Sequence, residues 1–306
     1  MQKKLLFVVL CLVWGSTWLA IKIGVNEVPP LWLAGTRFFM AGLLLVIWYR
    51  WKEGPFKIDK KDWLPILKLG FLVIAVTFGL IFWGEQWVSS GLTAVLVQGL
   101  IPIFMYIFSS MYGYDRFNLT RGIGILLGIA GILIIFLPVI KSPDTVLEFF
   151  GMLAITVGTL AYCWGSVMSK DTLNKYSTIL VSGFENLFGG LLLMAVSPFF
   201  EWSELMSGSL FFAGSSLMSW LYLVLIGSIV GFTIYIYLLK EWGAVRVSVY
   251  SFITPVVALL LGAMFYDETI TVSKVIGTLV ILLGVWVTTR AGQFNKLVVS
   301  KENSSM

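Results

Sequence analysis

Long apolar runs, separated by short segments that carry charges, proline or glycine, follow one another along the whole chain. A helix needs about 20 mostly apolar residues to cross the hydrocarbon core of a bilayer. The pattern therefore predicts an all-α integral membrane protein with ten transmembrane helices. The predicted spans are Leu5–Gly24, Leu31–Tyr49, Leu64–Trp83, Leu92–Tyr112, Gly122–Ile140, Gly151–Ser169, Ser177–Phe199, Leu217–Leu239, Val247–Tyr266 and Lys274–Arg290.

The composition agrees with a membrane location. Of the 306 residues, 58% are hydrophobic and 12% are charged, whereas a soluble globular domain carries about 25% charged residues. The opening segment has the basic start and apolar core of a signal peptide, but its apolar run continues through Ile23 without a small-residue cleavage site. We therefore expect that segment to be retained as the first membrane helix.

Catalytic and cofactor chemistry finds little support in the sequence. The chain contains no histidine, which removes the usual general base at neutral pH and the commonest metal ligand. No Walker motif, dinucleotide-binding fingerprint, metal-ligand spacing or nucleophile elbow occurs. Cys11 and Cys163 both lie in apolar runs, where packing is the expected role of a thiol. We predict no enzyme activity, no cofactor and no bound metal.

The basic residues are distributed unevenly between the two sides of the predicted bundle. All but five of the 21 Lys and Arg residues fall in the terminal tails and in the connections that share a side with them, and the exceptions are Lys22, Arg37, Lys68, Lys141 and Lys274. An excess of Lys and Arg marks the cytoplasmic side, so both termini are predicted to be cytoplasmic, in the plasma (inner) membrane. The net charge of +5 then reflects nearby anionic headgroups rather than nucleic-acid binding.

Short motifs recur about halfway along the chain. Trp14–Ser16 recurs as Trp164–Ser166 at an offset of 150, and Pro102 recurs as Pro255 at an offset of 153. This spacing indicates a duplicated five-helix unit. The predicted parts are a first repeat (1–140), a second repeat (141–292) and a cytoplasmic tail (293–306).

An odd number of crossings in each repeat has a geometric consequence. The second repeat must enter the membrane from the opposite side to the first. Halves related in this way form the inverted repeat of secondary transporters, in which a central site is exposed to each side alternately. The sequence therefore predicts two inverted five-helix repeats around a central cavity.

Four motifs follow one another in a fixed order. They are the Trp-Gly-Ser triplet of the first span and the stretches VPPLWLAGTRFFMAGLLL, SSGLTAVLVQGLIPIF and GAVRVSVYSFITPVVALLLG. In this order the chain, from Leu5 to about Arg290, resembles the EamA family of the drug/metabolite transporter superfamily. The resemblance implies ten helices in a basket around a central cavity and export of small molecules such as amino acids. Many members carry an acidic residue where this chain has Arg116, as its second half does at Glu268.

Aromatic and polar side chains at mid-membrane depth are candidates for a solute site. Aromatic walls with a few hydrogen-bonding groups suit amphipathic organic solutes. The candidates are Trp14, Thr17, Gln98, Trp164, Tyr235 and Tyr250. The alternative is that these side chains only fill helix interfaces, but the doubled Trp-Gly-Ser triplet favours the cavity.

Arg37 and Glu185 are charged residues deep within the predicted spans. A charge at the centre of a spanning helix costs at least ~2.5 kcal/mol, so such residues usually face protein or water and mark a pathway. Inverted symmetry puts the two at different depths, and we expect no direct ion pair between them. Glu185 is a candidate proton carrier, and Arg37 is a candidate group for holding a carboxylate or a backbone carbonyl. The alternative is that each pins neighbouring helices together.

Pro102 and Pro255 lie near the middle of the fourth and ninth spans. A proline inside a helix deletes one backbone hydrogen bond, at a cost of roughly 3 kcal/mol in a soluble helix. The symmetric placement favours hinges, with static kinks as the alternative. Gly124 and Gly128 permit close helix contact, in a dimer or within one bundle. A functional monomer is the simpler expectation, because the duplication already supplies both halves.

The predicted function is secondary-active or facilitative transport by alternating access, with export of small metabolites, amino acids or amphipathic compounds. The alternative is an integral membrane enzyme acting on lipid-linked substrates. Such an enzyme needs clustered acids, histidines or basic pairs at the membrane surface, and a receptor or scaffold gives no reason for the duplicated prolines. The outer loops are predicted to carry only scattered acids without partner cations, namely Glu27, Glu85, Glu201, Glu204, Asp267 and Glu268. The expected partners are a small-molecule solute and membrane lipids.

Overall fold

The computed structural model describes residues 2–114, 119–140, 146–206, 214–242 and 250–303, and the regular elements in these ranges are helices. Arg116, Lys141 and residues 247–249 of the ninth predicted span lie outside the described residues. The main helices are α1 (Gln2–Val25), α2 (Pro30–Lys52), α3 (Trp63–Leu69, Gly70–Val76 and Thr77–Glu85), α4 (Ser90–Met111), α5 (Leu119–Ile140), α6 (Val146–Met168), α7 (Thr178–Phe200), α8 (Gly214–Leu221, Tyr222–Val230 and Gly231–Trp242), α9 (Tyr250–Phe265) and α10 (Val272–Asn303). Short helices also form at Lys60–Asp62, Lys170–Lys175 and Trp202–Glu204.

The helices agree with the sequence pattern. Where the chain is described, the predicted spans extend no more than a residue or two beyond a helix. Within this part of the chain, seven helices are long and apolar enough to cross a bilayer. Shorter apolar helical parts occur in α5 (Gly122–Ile135), α9 (Ile253–Phe265) and α10 (Val272–Val287). Length and composition are thus those of a helical integral membrane protein.

α3 and α8 each contain a π-helical stretch, Gly70–Val76 and Tyr222–Val230. A hydroxyl side chain helps to satisfy the widened turn in both helices. Thr77 Oγ1 donates to the carbonyl oxygen of Leu72 at 2.8 Å, and Ser228 Oγ donates to that of Leu223 at 3.0 Å. Both bonds reach back five residues, which matches the wider π turn. Such turns are frequent at functional sites.

Glycines allow several helix pairs to pack with their backbones in contact. A Cβ atom on Gly42 of α2 would lie 2.4 Å from the Leu187 nitrogen of α7. A Cβ on Gly284 of α10 would lie 2.6 Å from the Gly124 oxygen and 2.8 Å from the Gly128 nitrogen of α5. The small-residue step of α5 therefore serves contact within one bundle, as expected for close membrane helix pairs.

Contacts between helices define the bundle. α2 packs along α7, α5 along α10 and α3 along α6. α1 contacts α8 and α9, and α4 contacts α6 and α9. The main core contains fully buried side chains such as Leu33, Ile81 and Phe82, whereas large apolar side chains such as Phe199 and Leu260 are exposed. An apolar exterior of this kind suits contact with lipid.

Candidate functional site

Three aromatic side chains from three helices meet inside the bundle. The ring centroid of Trp14 (α1) lies 5.1 Å from that of Tyr235 (α8) and 4.7 Å from that of Tyr250 (α9). The Nε1–H of Trp14 donates to the carbonyl oxygen of Gly227 at 3.2 Å. The structure thus brings together three of the predicted binding residues, which we call the aromatic cluster.

Thr17 and Arg37 both lie next to Gly227 of α8. The Thr17 hydroxyl donates to the carbonyl oxygen of Trp14 at 2.7 Å. A Cβ atom on Gly227, which lies in the π-helical stretch, would be 2.9 Å from Thr17 Cγ2 and 3.9 Å from Arg37 Nη2. A larger residue at position 227 would displace the neighbouring side chains. The aromatic cluster therefore continues along α1 towards the guanidinium of Arg37.

Tyr162 of α6 extends the cluster on another side. Its hydroxyl forms a hydrogen bond with Ser166 and interacts electrostatically with Glu185 and Tyr235. Glu185 is half-buried as a residue and forms no hydrogen bond or ion pair within the described ranges. Side chains from α6 and α7 thus bring a carboxylate near the phenol of Tyr162. The repeat comparison gave no signal for Tyr162, because the equivalent position in the first half is Leu12.

Gln98 and Trp164 have other surroundings. Gln98 is buried in α4. The Nε1–H of Trp164 donates to the Tyr112 hydroxyl at 3.0 Å, and its ring stacks on Phe108 with centroids 6.4 Å apart. Trp164 is 44% exposed and lines a cavity of about 490 Å³ with these two residues and Met111. A cavity shared by both Trp-Gly-Ser triplets stays a prediction, since the described contacts do not join Trp164 to the aromatic cluster.

Pro102 and Pro255 lie inside α4 and α9, respectively. Another helix crosses close to each of them. Beside Pro255, a Cβ atom on Gly15 of α1 would lie 3.2 Å from the carbonyl oxygen of Thr254. Beside Pro102, the Sγ atom of Cys163 is 3.6 Å from the carbonyl oxygen of the preceding residue. Both prolines therefore occur where a neighbouring helix contacts the backbone, and their role as hinges stays a prediction.

Arg37 is buried in α2, and its electrostatic partner is Glu85 of α3. It forms no ion pair with Glu185 in the part of the chain that the structure describes. The guanidinium lies 4.8 Å from the centroid of the Phe38 ring and 5.8 Å from that of Phe82. Phe82 and Glu85 are three residues apart and share a face of α3. The helix therefore places the carboxylate of Glu85 on the side from which Arg37 approaches.

Glu85 is fully buried at the end of α3. Its assignment to an exposed outer loop was therefore wrong. The physical reason is Lys22 of α1, whose ammonium donates to the carbonyl oxygens of Glu85 at 2.7 Å, Gln86 at 2.8 Å and Val88 at 3.0 Å. These bonds hold the connection between α3 and α4 against α1. A cation at a helix C-terminus is favoured because the carbonyl groups there lack helical partners.

Glu201 connects the end of α7 to the start of α2. Its carboxylate accepts hydrogen bonds from the backbone N–H groups of Leu31 at 2.7 Å and Trp32 at 3.1 Å, and from the Ser197 hydroxyl at 2.5 Å. Burial raises the pKa of the Glu201 carboxyl above its ordinary value. The first N–H groups of a helix have no acceptor within the helix, so a carboxylate satisfies them well.

Glu268 and Glu27 make equivalent contacts with two other helices. Glu268 accepts from the backbone N–H groups of Ser90 at 2.7 Å and Gly91 at 3.2 Å, at the start of α4. Glu27 accepts from the Ser216 N–H at 2.9 Å and from the Ser215 hydroxyl, at the start of α8. The hydrogen bond from Ser215 lowers the pKa of the Glu27 carboxyl below its ordinary value. Glu27, Glu201 and Glu268 therefore each have backbone N–H groups as partners.

A larger cleft, of about 1050 Å³, lies between α3, α7 and the connection from α1 to α2. Its lining is mostly apolar, with Glu27, Glu201 and Glu204 among the polar side chains. It contains none of the predicted site residues. Phe71 and Phe200 line it and are exposed on the outer surface of the bundle. The cleft is therefore separate from the aromatic cluster and opens on the apolar exterior.

Comparison with known proteins gives consistent matches over nearly the whole chain. The model of the EamA-like transporter family matches residues 2–137 and 149–290. The "Uncharacterized transporter YoaV" of Bacillus subtilis is 28% identical over 278 residues, which cover 91% of this chain and 93% of YoaV. The "Uncharacterized inner membrane transporter YedA" of Escherichia coli is 32% identical over 270 residues, which cover 85% of this chain and 82% of YedA. A solved crystal structure with 21% identity superposes with a TM-score of 0.63 over 96% of this chain and 99% of its own, a likeness that shows the fold alone.

Proposed function

Since the chain belongs to the EamA-like transporter family, we propose that it is a secondary-active or facilitative transporter that exports small metabolites, amino acids or amphipathic compounds by alternating access. The observation that carries this proposal is the aromatic cluster of Trp14, Tyr235 and Tyr250 inside an otherwise apolar bundle. Aromatic side chains with a few polar groups suit the binding of small organic solutes. Relatives named as transporters support this function over an enzyme.

The pattern of helix contacts supports two inverted repeats, residues 1–140 and 141–292, followed by a tail (293–306). If α1 to α5 are exchanged in order with α6 to α10, the contact of α1 with α9 becomes that of α6 with α4. The contact of α3 with α6 becomes that of α8 with α1. The pairs α2 with α7, α4 with α9 and α5 with α10 each map onto themselves. The π-helical stretches of α3 and α8 correspond as well.

Two repeats of five crossings give ten transmembrane helices with both termini on one side. The distribution of Lys and Arg makes that side cytoplasmic. An Escherichia coli relative named as an inner membrane transporter supports location in the plasma (inner) membrane. One bundle contains both repeats, so the functional unit is a monomer.

In the proposed cycle, the two halves tilt against each other around a central cavity lined by the six candidate residues, which include Gln98 and Trp164. Pro102 and Pro255 weaken α4 and α9, where these helices contact each other, and act as hinges. Glu185 binds and releases a proton in step with the solute, because it is an acid within a spanning helix, has no ion-pair partner in the described residues and lies near the phenol of Tyr162.

Counterflow in proteoliposomes tests the transport function. The purified protein is expected to accelerate uptake of one or more labelled compounds from a panel of amino acids and amphipathic metabolites. Trp14→Ala is expected to reduce the flux while the protein stays folded. Trp51→Ala is the matched control, since Trp51 is 77% exposed at the end of α2. Absence of flux across the panel, together with turnover of a lipid-linked substrate, would replace transport with enzyme activity.

A separate measurement tests the role of Glu185. Glu185→Gln is expected to remove the dependence of flux on an imposed pH gradient, while exchange between equal solute pools continues. The neutral amide keeps the size of the side chain but binds no proton at these pH values. An unchanged dependence on the gradient would exclude Glu185 from coupling.

A further inference from the structure

The cleft between α3 and α7 is a groove in the outer surface of the bundle. Its apolar walls include Val76 of α3, Val196 of α7 and Leu31 of α2. The three helices converge at Gly79, where a Cβ atom would lie 3.0 Å from Leu193 Cδ2 and 3.4 Å from Leu31 Cδ2. Gly79 and Leu193 are buried, so they form the floor of the groove. An apolar groove that opens on the exterior is accessible to the chains of membrane lipids.

The groove is long enough for an acyl chain. Trp83 and Trp87 line one end of it and are exposed, and exposed indole rings favour the interface between lipid and water. Phe71 lines the other end and is exposed as well. Along α3, Phe71 and Trp83 are about 18 Å apart at a rise of ~1.5 Å per residue, whereas half of the hydrocarbon core is about 15 Å thick. A lipid in the groove would therefore have its headgroup at the tryptophan end.

The tryptophan end of the groove is acidic. Glu27, Glu201 and Glu204 line it, and among the described lining residues none is Lys or Arg. Glu27 is ionised at neutral pH, because the hydrogen bond from Ser215 lowers the pKa of its carboxyl. Glu27 and Glu204 are both exposed. Since a carboxylate has about four acceptor sites, the bonds that these two acids form within the protein leave sites for an added donor.

The charge at this end determines which headgroup fits. An anionic headgroup would be repelled by the carboxylates. An ammonium headgroup is attracted, and its N–H groups form charge-assisted hydrogen bonds with them. Asn26 and Gln86 line the same end, and in the described contacts each uses only one of its amide N–H groups. The second N–H of each amide is a donor for a lipid phosphate, so a headgroup with both an ammonium and a phosphate is complementary to this end.

We infer that the groove binds one phospholipid with a primary ammonium headgroup, of the phosphatidylethanolamine type. One acyl chain lies along Val76 and Val196, and the ammonium donates to the carboxylates of Glu27 and Glu204. The lipid enters from the surrounding bilayer, because the groove is open on that side. Glu27 and Glu201 also bind the starts of α8 and α2, so the lipid lies beside contacts that hold this end of the bundle together. The site is separate from the proposed solute site and does not depend on transport.

Lipids with identical acyl chains test the choice of headgroup. Native mass spectrometry of the full-length protein, purified in detergent, counts the bound lipids and gives their apparent affinities. The probes are dioleoyl phosphatidylethanolamine, its N,N-dimethyl form, phosphatidylcholine and phosphatidylglycerol. The first phosphatidylethanolamine is expected to bind at least about fivefold more tightly than phosphatidylcholine or phosphatidylglycerol, with the dimethyl form between them, because each methyl group removes an N–H donor to the carboxylates.

Two results of this measurement would overturn the inference. The first is equal affinity for all four lipids, or tighter binding of phosphatidylglycerol, since either shows that the acids do not select the headgroup. The second is a dimer that binds no lipid, since it would assign the groove to a second copy of the chain.

Variants of the acids then locate the ammonium group. Glu27→Gln and Glu204→Gln keep the size of the side chain, and each is expected to lower the preference for phosphatidylethanolamine over phosphatidylcholine at least about threefold, because the ammonium loses a charged acceptor. Glu53→Gln makes the same change at an exposed position outside the described lining of the cleft and is expected to keep the wild-type preference. The preference is a ratio within one variant, so it does not report a change in stability. Wild-type ratios in both the Glu27 and Glu204 variants would refute the assignment.

A second pair of variants tests the groove itself. Val196→Trp places a large ring in the groove and is expected to weaken phosphatidylethanolamine binding at least about fivefold, because the ring and an acyl chain cannot occupy the same space. Ala195→Trp adds the same ring at the next residue of α7, which is exposed and outside the described lining of the cleft, and is expected to bind as wild type. If Val196→Trp does not fold, Val76→Trp fills the groove from α3 with the same expected loss. Unchanged affinity in the folded groove variant would refute the site, whereas absence of solute flux would refute transport and leave the lipid site in place.

Discussion

Removal of the Glu201 carboxylate is expected to weaken the contact between α7 and α2. α2 begins at Pro30, which has no N–H group, and the N–H of Leu33 already donates to the Pro29 oxygen at 2.8 Å. The N–H groups of Leu31 and Trp32 remain, and both donate to Glu201. This one carboxylate therefore satisfies the first turn of α2. Glu201→Ala would leave both donors without a charged acceptor.

The size of the effect follows from these contacts. A hydrogen bond to a charged group contributes about 1.5–3 kcal/mol. Three such bonds are lost in Glu201→Ala, two from α2 and one from the Ser197 hydroxyl. Removal of a largely buried carboxylate recovers part of the cost of its desolvation, and the small Ser197 hydroxyl is free to rotate to another acceptor. We expect the free energy of unfolding to fall by about 2–4 kcal/mol. Glu201→Gln keeps one acceptor oxygen and is expected to cost about 1–2 kcal/mol.

Denaturant unfolding in lipid–detergent micelles, followed by circular dichroism, measures this difference. Glu204→Ala is the matched control, because Glu204 is an exposed acid three residues further along the chain. Its unfolding free energy is expected to stay within about 0.5 kcal/mol of wild type. An equal loss in both variants would mean that net charge, rather than the bonds to α2, sets the stability. No loss in Glu201→Ala would refute the reasoning.

Three further predictions concern other contacts. Gly42→Val is expected to lower the free energy of unfolding by about 3 kcal/mol or more, because a Cβ at this position would lie 2.4 Å from a backbone nitrogen of α7. The same denaturant assay measures this change. An unchanged free energy of unfolding would contradict the close contact between α2 and α7. The hydrogen bond from Ser215 lowers the pKa of Glu27 in the folded protein. The ionised Glu27 carboxylate therefore stabilises the fold fully above the ordinary carboxyl pKa of about 4.3, and this stabilisation is lost as the pH falls through the lower pKa of the folded state. The thermal midpoint of wild type should therefore drop more on acidification than that of Glu27→Gln, and parallel curves would refute this. Trp14→Phe keeps an aromatic ring but loses the N–H group that binds the α8 backbone. We expect the free energy of unfolding to fall by about 1 kcal/mol and counterflow of the transported solute to slow. Counterflow at the wild-type rate would show that this hydrogen bond has no role in the site.

The helices could be predicted from the sequence because they depend on local signals, and the duplication predicted from recurring motifs stays a prediction. Each helix is a long apolar run, and the recurring Trp-Gly-Ser triplet and proline mark equivalent positions in the two halves. The sequence also showed small residues such as Gly42 and Gly284, which permit close packing. It did not show which helix each one contacts. That choice depends on the complementary surfaces of helices far apart in the chain.

The burial of Glu85 could not be predicted for a related reason. Glu85 lies at the end of an apolar run and precedes a polar residue, Gln86, a pattern typical of the start of a loop. Hydropathy records the composition of a segment but not what covers it. Lys22, more than sixty residues earlier, binds the carbonyl groups of this connection and holds it against α1. Only the tertiary contact distinguishes a buried charge at a helix end from an exposed one.

Three acids at this end of the bundle, Glu27, Glu201 and Glu268, have backbone groups as hydrogen-bond partners. Glu201 and Glu268 lie in the second half and accept from the starts of α2 and α4 in the first, whereas Glu27 lies in the first half and accepts from the start of α8 in the second. The start of a helix is positively polarised whatever its side chains are. Such a contact therefore needs an acid on one side only, and no basic residue in the sequence marks its partner. The three contacts all join opposite halves. In the proposed alternating-access cycle these hydrogen bonds must break when this end opens. The N–H groups and carboxylates exposed by the opening then form hydrogen bonds with water instead. Contacts of this type can therefore stabilise the closed end without preventing it from opening.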